Sequence, residues 1–316
     1  MALTGDTFTT YLRSNYIPEA IQTVFWNSWW MQPNSPFTVV PPEACPSGPD
    51  VNQIYDYATT TNAEVYVRGA PMPDPDTLSS VRAYFTKDFF QVAAKVYGDV
   101  QAMASGSGGL NVAIDMQTKA IDNALKNLVD LMATTYLTDL GAQVDSATAL
   151  GDGSLTRSTY SLQSDETAVS AALALSHLED KIEELQNTTY GVPSVPRNEE
   201  LCILMPRNQL TNLARLTGGA TNFSMNWDAQ SAAPADAGRV FRTQRFENID
   251  LYVVPDMTTT EIYLLRKDAC KIFLHAPVTV VPKDVSEWAD AWLATAGANL
   301  VVTNVRCAGK LTGVTA

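Results

Sequence analysis

The side chains able to do acid–base, nucleophilic or metal chemistry are few and scattered. Only two histidines occur, so any proton transfer near neutral pH would fall to His177 or His275. His177 is read mid-helix among alanines and leucines. His275 is read in a strand, on the side opposite Ile272 and Leu274. Neither stands in a motif that would make it the base of a nucleophilic pair. No Gly-x-Ser-x-Gly elbow and no His-Glu-x-x-His run is present. Cys45, Cys202, Cys270 and Cys307 form no C-x-x-C pair. Cys202 and Cys270 lie in apolar runs, where a thiol packs as a small hydrophobe, and the four are read as buried free thiols of a reducing compartment. Asp74-Pro75-Asp76 lacks the remaining ligands of a calcium loop. Ser105-Gly106-Ser107-Gly108-Gly109 lacks the Gly-Lys-Ser/Thr ending of a phosphate loop and reads as a hinge. Arg239, Arg242 and Arg245 could hold a carboxylate or phosphate; in so acidic a chain, an acidic neighbour or solvent is their expected contact. The expectation is a non-enzyme with no catalytic set, no cofactor and no metal.

The 316 residues carry a net charge of −13 and are 46% hydrophobic. That is enough apolar material for one large domain or two intertwined ones. Tight sequence-independent binding to nucleic acid needs clustered Lys and Arg, and residues 1–64 contain only Arg13. The acidic balance suits a surface that repels a polyanion held nearby. No secretory signal is read at Met1–Asp6, and no apolar run approaches the ~20 residues needed to cross a membrane.

The elements that would position these side chains are clearer than the chemistry. Leu175, Leu178, Ile182 and Leu185 mark one face of a helix, with Glu179, Asp180, Lys181, Glu183 and Glu184 on its wet faces. This helix opens a 165–219 unit. Leu201–Met205 is too short and too apolar for an exposed element, and reads as a strand covered on both faces. Pro206 suits the start of another helix, with Leu210, Leu213 and Leu216 on its apolar side and Gly218 as its stop. Upstream, Ile114, Ile121, Leu125, Leu128, Met132, Tyr136 and Leu140 form the stripe of a helix ended by Gly141. Residues 63–97 read as a hairpin or flap. Its period-two limbs hold Val65 and Val67, then Val81, Ala83 and Phe85, around a stiff Gly69–Asp76 tip. Residues 1–50 combine a helix starting at Pro18 with Phe25, Trp26, Trp29, Trp30 and six prolines beyond. Such an arm must lie against either its own body or a neighbour. Residues 218–240 form a long irregular loop. Strands are expected over 249–254, 262–281 and 300–302.

This succession resembles the HK97-fold major capsid proteins of tailed bacteriophages and related shells. Asn198–Leu213 is similar to that family's strand followed by a proline- or asparagine-started helix. Ile249–Met257 looks like its next strand, ending in Pro near Met. The resemblance covers nearly the whole chain in order and size. It implies an α+β fold with an N-terminal arm (1–55), an extended loop (56–97), a peripheral domain with a long spine helix (98–150), an axial domain (151–260) and a return to the peripheral domain (261–316). It implies a structural subunit forming the pentamers and hexamers of an icosahedral head around double-stranded DNA, assembled in the host cytoplasm and resident in the virion.

Its implied partners are other copies of itself, a separate scaffolding protein, a portal, possible decoration proteins, and DNA held without tight specific binding; no membrane is involved. The inter-subunit contacts expected on this basis are Phe25, Trp26, Trp29, Trp30, Arg68, Pro71, Pro73, Pro75, Arg239, Arg242 and Arg245. Some members join subunits through a lysine in the extended loop. The tip here, Gly69–Ser80, has none, so covalent cross-linking is not expected. The chain starts almost at the arm, so a scaffolding segment would be separate or already removed. Two rivals share the sequence: an encapsulin-like cellular shell, and a non-viral α+β binding or hydrolytic domain.

Overall fold

The structure, a computed structural model, describes residues 12–31, 35–56, 80–97, 109–145, 150–151, 155, 165–187, 200–217, 244–247, 249–254, 257–283 and 289–315. In chain order its elements are α1 (Ile17–Val24), β1 (Thr38–Val40), β2 (Asp50–Asp56), β3 (Ser80–Thr86), β4 (Phe89–Tyr97), α2 (Gly109–Val144), β5 (Asp165–Ala168), α3 (Leu175–Asn187), β6 (Leu201–Met205), α4 (Arg207–Thr217), β7 (Gln244–Phe246), β8 (Ile249–Val253), β9 (Ile262–Arg266), β10 (Cys270–Lys283), β11 (Ala289–Val302) and β12 (Ala308–Thr312). The chain divides into two units, each assembled from separate stretches of sequence.

The first unit comprises Met1–Cys45, Lys87–Tyr136 and Ile272–Asn299. Its sheet runs β1-β10-β11-β4. β11 and β4 are antiparallel, from Ala289 opposite Tyr97 to Gly297 opposite Phe89. Pro18 sits in the first turn of α1, where a missing N–H costs nothing. The apolar stripe of α2 is buried from Ile121 to Tyr136. Trp30 meets the Tyr136 ring edge-on at 5.1 Å and Phe25 at 5.2 Å. Aromatic pairs of this geometry add to what area burial alone contributes.

The second unit comprises Pro46–Thr86, Leu137–Lys271 and Leu300–Ala316. Its larger sheet runs β5-β12-β9-β6-β8-β7. β6 lies between antiparallel β9 and parallel β8, and all five of its residues are buried, as its composition predicts. Leu201, Ile203 and Met205 face a core shared with Leu178, Ile182 and Leu185 of α3 and Leu213 of α4. Each such side chain contributes about 1.5–3 kcal/mol on burial. A separate ribbon pairs β2 with β3, burying Val51, Tyr55, Ala83 and Phe85 on one face.

Several expectations need correction. Residues 165–168 are not helical. They pair with β12 in parallel, and Val169 N–H extends the ladder to the Thr312 carbonyl at 2.9 Å. A polar segment without an apolar stripe gains more from a backbone ladder than from an unburied helix. α2 runs from Gly109 to Val144, through Gly141 rather than ending there. A Cβ on Gly141 would stand 3.1 Å from the Tyr263 hydroxyl, so the missing side chain makes room for a close approach.

Lys181 is not on a wet face but 1% exposed, because Gly309 admits its stem against β12. Leu216 points outward at 44% exposure. The expected strand at 300–302 is the end of β11, and Ala308–Thr312 adds a further strand, β12. β3 pairs with β2 and β4 with β11, whereas the other expected limb at 65–67 lies outside the described residues. β9 and β12 belong to the same sheet as β6 and β8. Gly218 and the 218–240 loop lie outside the described residues.

Candidate functional site

The reactive side chains are spent on structure. His177 is not mid-helix but in the first turn of α3. Its Nδ1 accepts the Ala174 N–H at 3.1 Å, and its own N–H donates to the Ala174 carbonyl at 3.2 Å. This is a reciprocal cap of the helix start, and it commits Nδ1 as an acceptor. His275 lies on β10 with its ring edge-on to Phe89 at 4.9 Å. A Cβ on Gly297 would come within 2.6 Å of its Nε2. Burial lowers its pKa below the ordinary histidine value, and the Lys87 ammonium pushes the same way.

The thiols point away from nucleophilic use. Burial raises Cys202 to about 12, drives Cys270 well above the usual thiol value and raises Cys307. A thiol held protonated is a poor nucleophile and ligand. Cys202 donates weakly to the Leu265 carbonyl at 3.3 Å. Cys45 is also raised by burial, yet it stays partly exposed, unlike the buried thiol expected.

The buried charges of the second unit are likewise paired. Lys310 reaches Glu261 at 3.1 Å and lies over the Tyr263 ring, 5.7 Å from its centroid. Tyr263 donates its hydroxyl to Glu261 at 2.7 Å, and burial, then that carboxylate, raises its pKa. Lys310 stands opposite Tyr263 across β9 and opposite Glu166 across β5. Lys181 meets Glu184 at 2.8 Å, and Lys267 pairs with Asp250. Among the described residues, no group of three or more His, Cys, Asp or Glu side chains could hold a metal ion, and no helix is long and apolar enough to cross a membrane.

What remains is surface. Of the residues expected to contact a neighbour, Phe25 and Trp30 are fully buried within the first unit, while Trp26 is 49% exposed beside them. Trp29 is half-buried against Phe37 at 5.8 Å. Phe25 thus meets both Trp26 and Trp30, Trp29 packs on Phe37, and Trp26 keeps the most open face. Arg245 falls in β7, opposite Asp250 of β8. Arg68, Pro71, Pro73, Pro75, Arg239 and Arg242 lie outside the described residues. Residue patterns alone missed other open apolar groups. Phe89 is 71% exposed, and Ile54 and Tyr84 are diagonal neighbours on the open face of the β2–β3 ribbon. Only their period-two alternation could have marked them, by placing them opposite Phe90, Tyr55 and Phe85.

No protein-family model and no curated protein matches the chain. Solved structures do. The capsid asymmetric unit of cyanophage A-1(L) is 14% identical, with a TM-score of 0.60 over 86% of this chain and 90% of that one. A virus-like particle from Pyrococcus furiosus is 9% identical, with a TM-score of 0.54 over 96% and 98%. The procapsid of satellite phage P4, including its size determination protein, is 10% identical, with a TM-score of 0.52 over 94% and 90%. At these identities the likeness is one of fold, and it extends over nearly the full length of each partner. The chain has the mixed α+β HK97-type capsid fold.

Proposed function

We propose that the chain is a major capsid protein, a structural subunit that self-assembles into the pentamers and hexamers of an icosahedral head enclosing double-stranded DNA. The observation that carries this reading is the end-to-end likeness to shell subunits, 86% of this chain on 90% of the cyanophage subunit. A fold alone does not imply a function. Here the described side chains support the same reading, since the histidines, thiols and buried charges serve packing. In this reading the subunit is not an enzyme and takes no cofactor. Its arm is 1–55, its extended loop 56–97, its peripheral domain 98–150 and 261–316, and its axial domain 151–260. It acts in the virion after assembly in the host cytoplasm. A scaffolding protein and a portal are its implied partners, with decoration proteins where the head carries them. The charge of −13 lets packaged DNA lie close without sticking.

Negative-stain microscopy of the purified chain tests this. Polyhedral shells, or discrete pentamers and hexamers, are expected; a stable monomer or dimer at high concentration would sink the reading. The match to a virus-like particle over 98% of that chain favours one second reading, a cellular shell with protein cargo. Particles that carry protein rather than DNA from the producing cell would select it.

A further inference from the structure

The outward faces of α3 and α4 carry opposite charge. On α3, Glu179, Asp180, Glu183 and Glu184 are all exposed. The only lysine or arginine of that helix, Lys181, is turned inward and tied to Glu184 at 2.8 Å. The spacing makes Glu179–Glu183 and Asp180–Glu184 like-charge pairs one turn apart, which weaken an isolated helix. On α4, Arg207, Thr211 and Arg215 recur every four residues on an exposed row, beside the open Leu216, and the helix contains no Asp or Glu. Both helices cover the same face of the six-stranded sheet, since their apolar residues share one core with β6. α3 lies over β12, and α4 follows β6, with the Gln209 amide donating to the Thr259 and Val314 carbonyls at 3.0 and 3.1 Å.

One unit therefore presents an acidic helix face and a basic helix face on the same side of its sheet. Two copies can pair such faces about a two-fold axis or head to tail, and a capsomer ring takes the second arrangement. Head-to-tail contacts close into rings when the rotation allows. We infer that the acidic face of α3 in one copy docks on the basic face of α4 in the next copy around a capsomer, so that the occupant of each face is a second copy of this chain. The inference rests on the capsid reading above. Contact between these faces relieves the like-charge rows of α3 and covers Leu216 at the end of α4. Because the charges are exposed, they steer and orient association more than they hold it, and the effect falls with salt. Repetition around a closed ring makes a modest contact count.

The test uses two full-length variants, E179R/D180R/E183R and R207E/R215E. The first makes both helices basic and the second makes both acidic. Circular dichroism should show each folded as the wild type. Each alone should lose shell and capsomer formation about tenfold at 0.1 M salt, seen by sedimentation and microscopy. Mixed in equal amounts they should associate again into pairs and rings of six, in which the two variants alternate and every α3–α4 contact is between opposite charges; a ring of five cannot alternate. The inference is overturned if either variant assembles like the wild type, or if the mixture recovers no more than its components. A wild-type chain that forms no shell overturns the capsid reading instead. Association confined to the mixture would still uphold the pairing of the two faces, and its absence would end that too.

Discussion

Gln143 and Val302 are joined as two strands would be. The Gln143 side-chain carbonyl accepts the Val302 N–H at 2.8 Å, and its amide donates to the Leu300 carbonyl at 2.8 Å. One helical side chain thus satisfies two buried backbone groups at the end of β11, while Tyr55 donates to the Val302 carbonyl at 2.7 Å. Gln143→Ala orphans both groups, and each unmet buried partner costs about 1–3 kcal/mol. A loss of about 2–4 kcal/mol is expected in urea denaturation of the unassembled subunit. A loss below about 0.5 kcal/mol would mean that water reaches the site.

His275 makes the first unit sensitive to acid. Its folded-state pKa lies below the ordinary value of 6.5, so the unfolded chain takes up a proton first as pH falls. Stability from this group is complete above about pH 6.5 and is lost as pH drops through the folded-state value. His275→Gln should flatten that part of the curve of melting temperature against pH. An unchanged acid limb would place the sensitivity elsewhere. Gly297→Val should destabilise at every pH, because its side chain would enter the space of the imidazole.

Lys310 and Glu261 form an ion pair in which Lys310 is 7% exposed. Lys310→Ala leaves Glu261 in a poorly hydrated place with Tyr263 as its neutral donor. Removing one member of a buried pair is worse than removing both, and about 2–4 kcal/mol is expected here. The double variant Lys310→Met, Glu261→Gln should recover much of that loss. A double variant as unstable as the single would show that the Coulombic pairing itself is the stabilising element.

The arm separates folding from assembly residue by residue. Trp30→Ala empties a site against Tyr136 and Phe25 and should cost about 3–5 kcal/mol of subunit stability. Trp26 is half open, so Trp26→Ala should leave the melting temperature within a few degrees and lower shell yield instead. Normal shell yield from Trp26→Ala would remove it from the inter-subunit surface. Deleting residues 1–45 is a poorer probe, since it strips Phe25 and Trp30 from the unit that they help to fold.

Elements with an uninterrupted apolar signature were legible in residue order. β6, the buried stripe of α2 from Ile121 to Leu140, the start of α1 at Pro18 and the inward residues of α3 stand where periodicity puts them. Each buries its apolar side whatever partner it finds. β5 and β12 were illegible because their residues are held by the ladder, not by a hydrophobic face of their own: Asp165-Glu166-Thr167-Ala168 acquires a strand only once Gly309–Thr312 lies alongside. Lys181 is buried through a related effect. A lysine in a run of acids belongs to water by composition, and only Gly309, 128 positions later in the chain, opens the space that takes it in.

The net charge of −13, the long apolar-striped helix and the buried strand are properties of residue types and short-range spacing, and residue order alone carries them. Tertiary structure alone decided which residues remain for a partner. Trp30 and Trp26 differ by four positions and share one side-chain type, yet one is enclosed by Tyr136 and Phe25 and the other is open. The strand order, the slots at Gly297 and Gly309, and the opposed charges of α3 and α4 all follow from contacts distant in sequence. No local pattern encodes them, because burial is a property of what arrives from elsewhere in the chain.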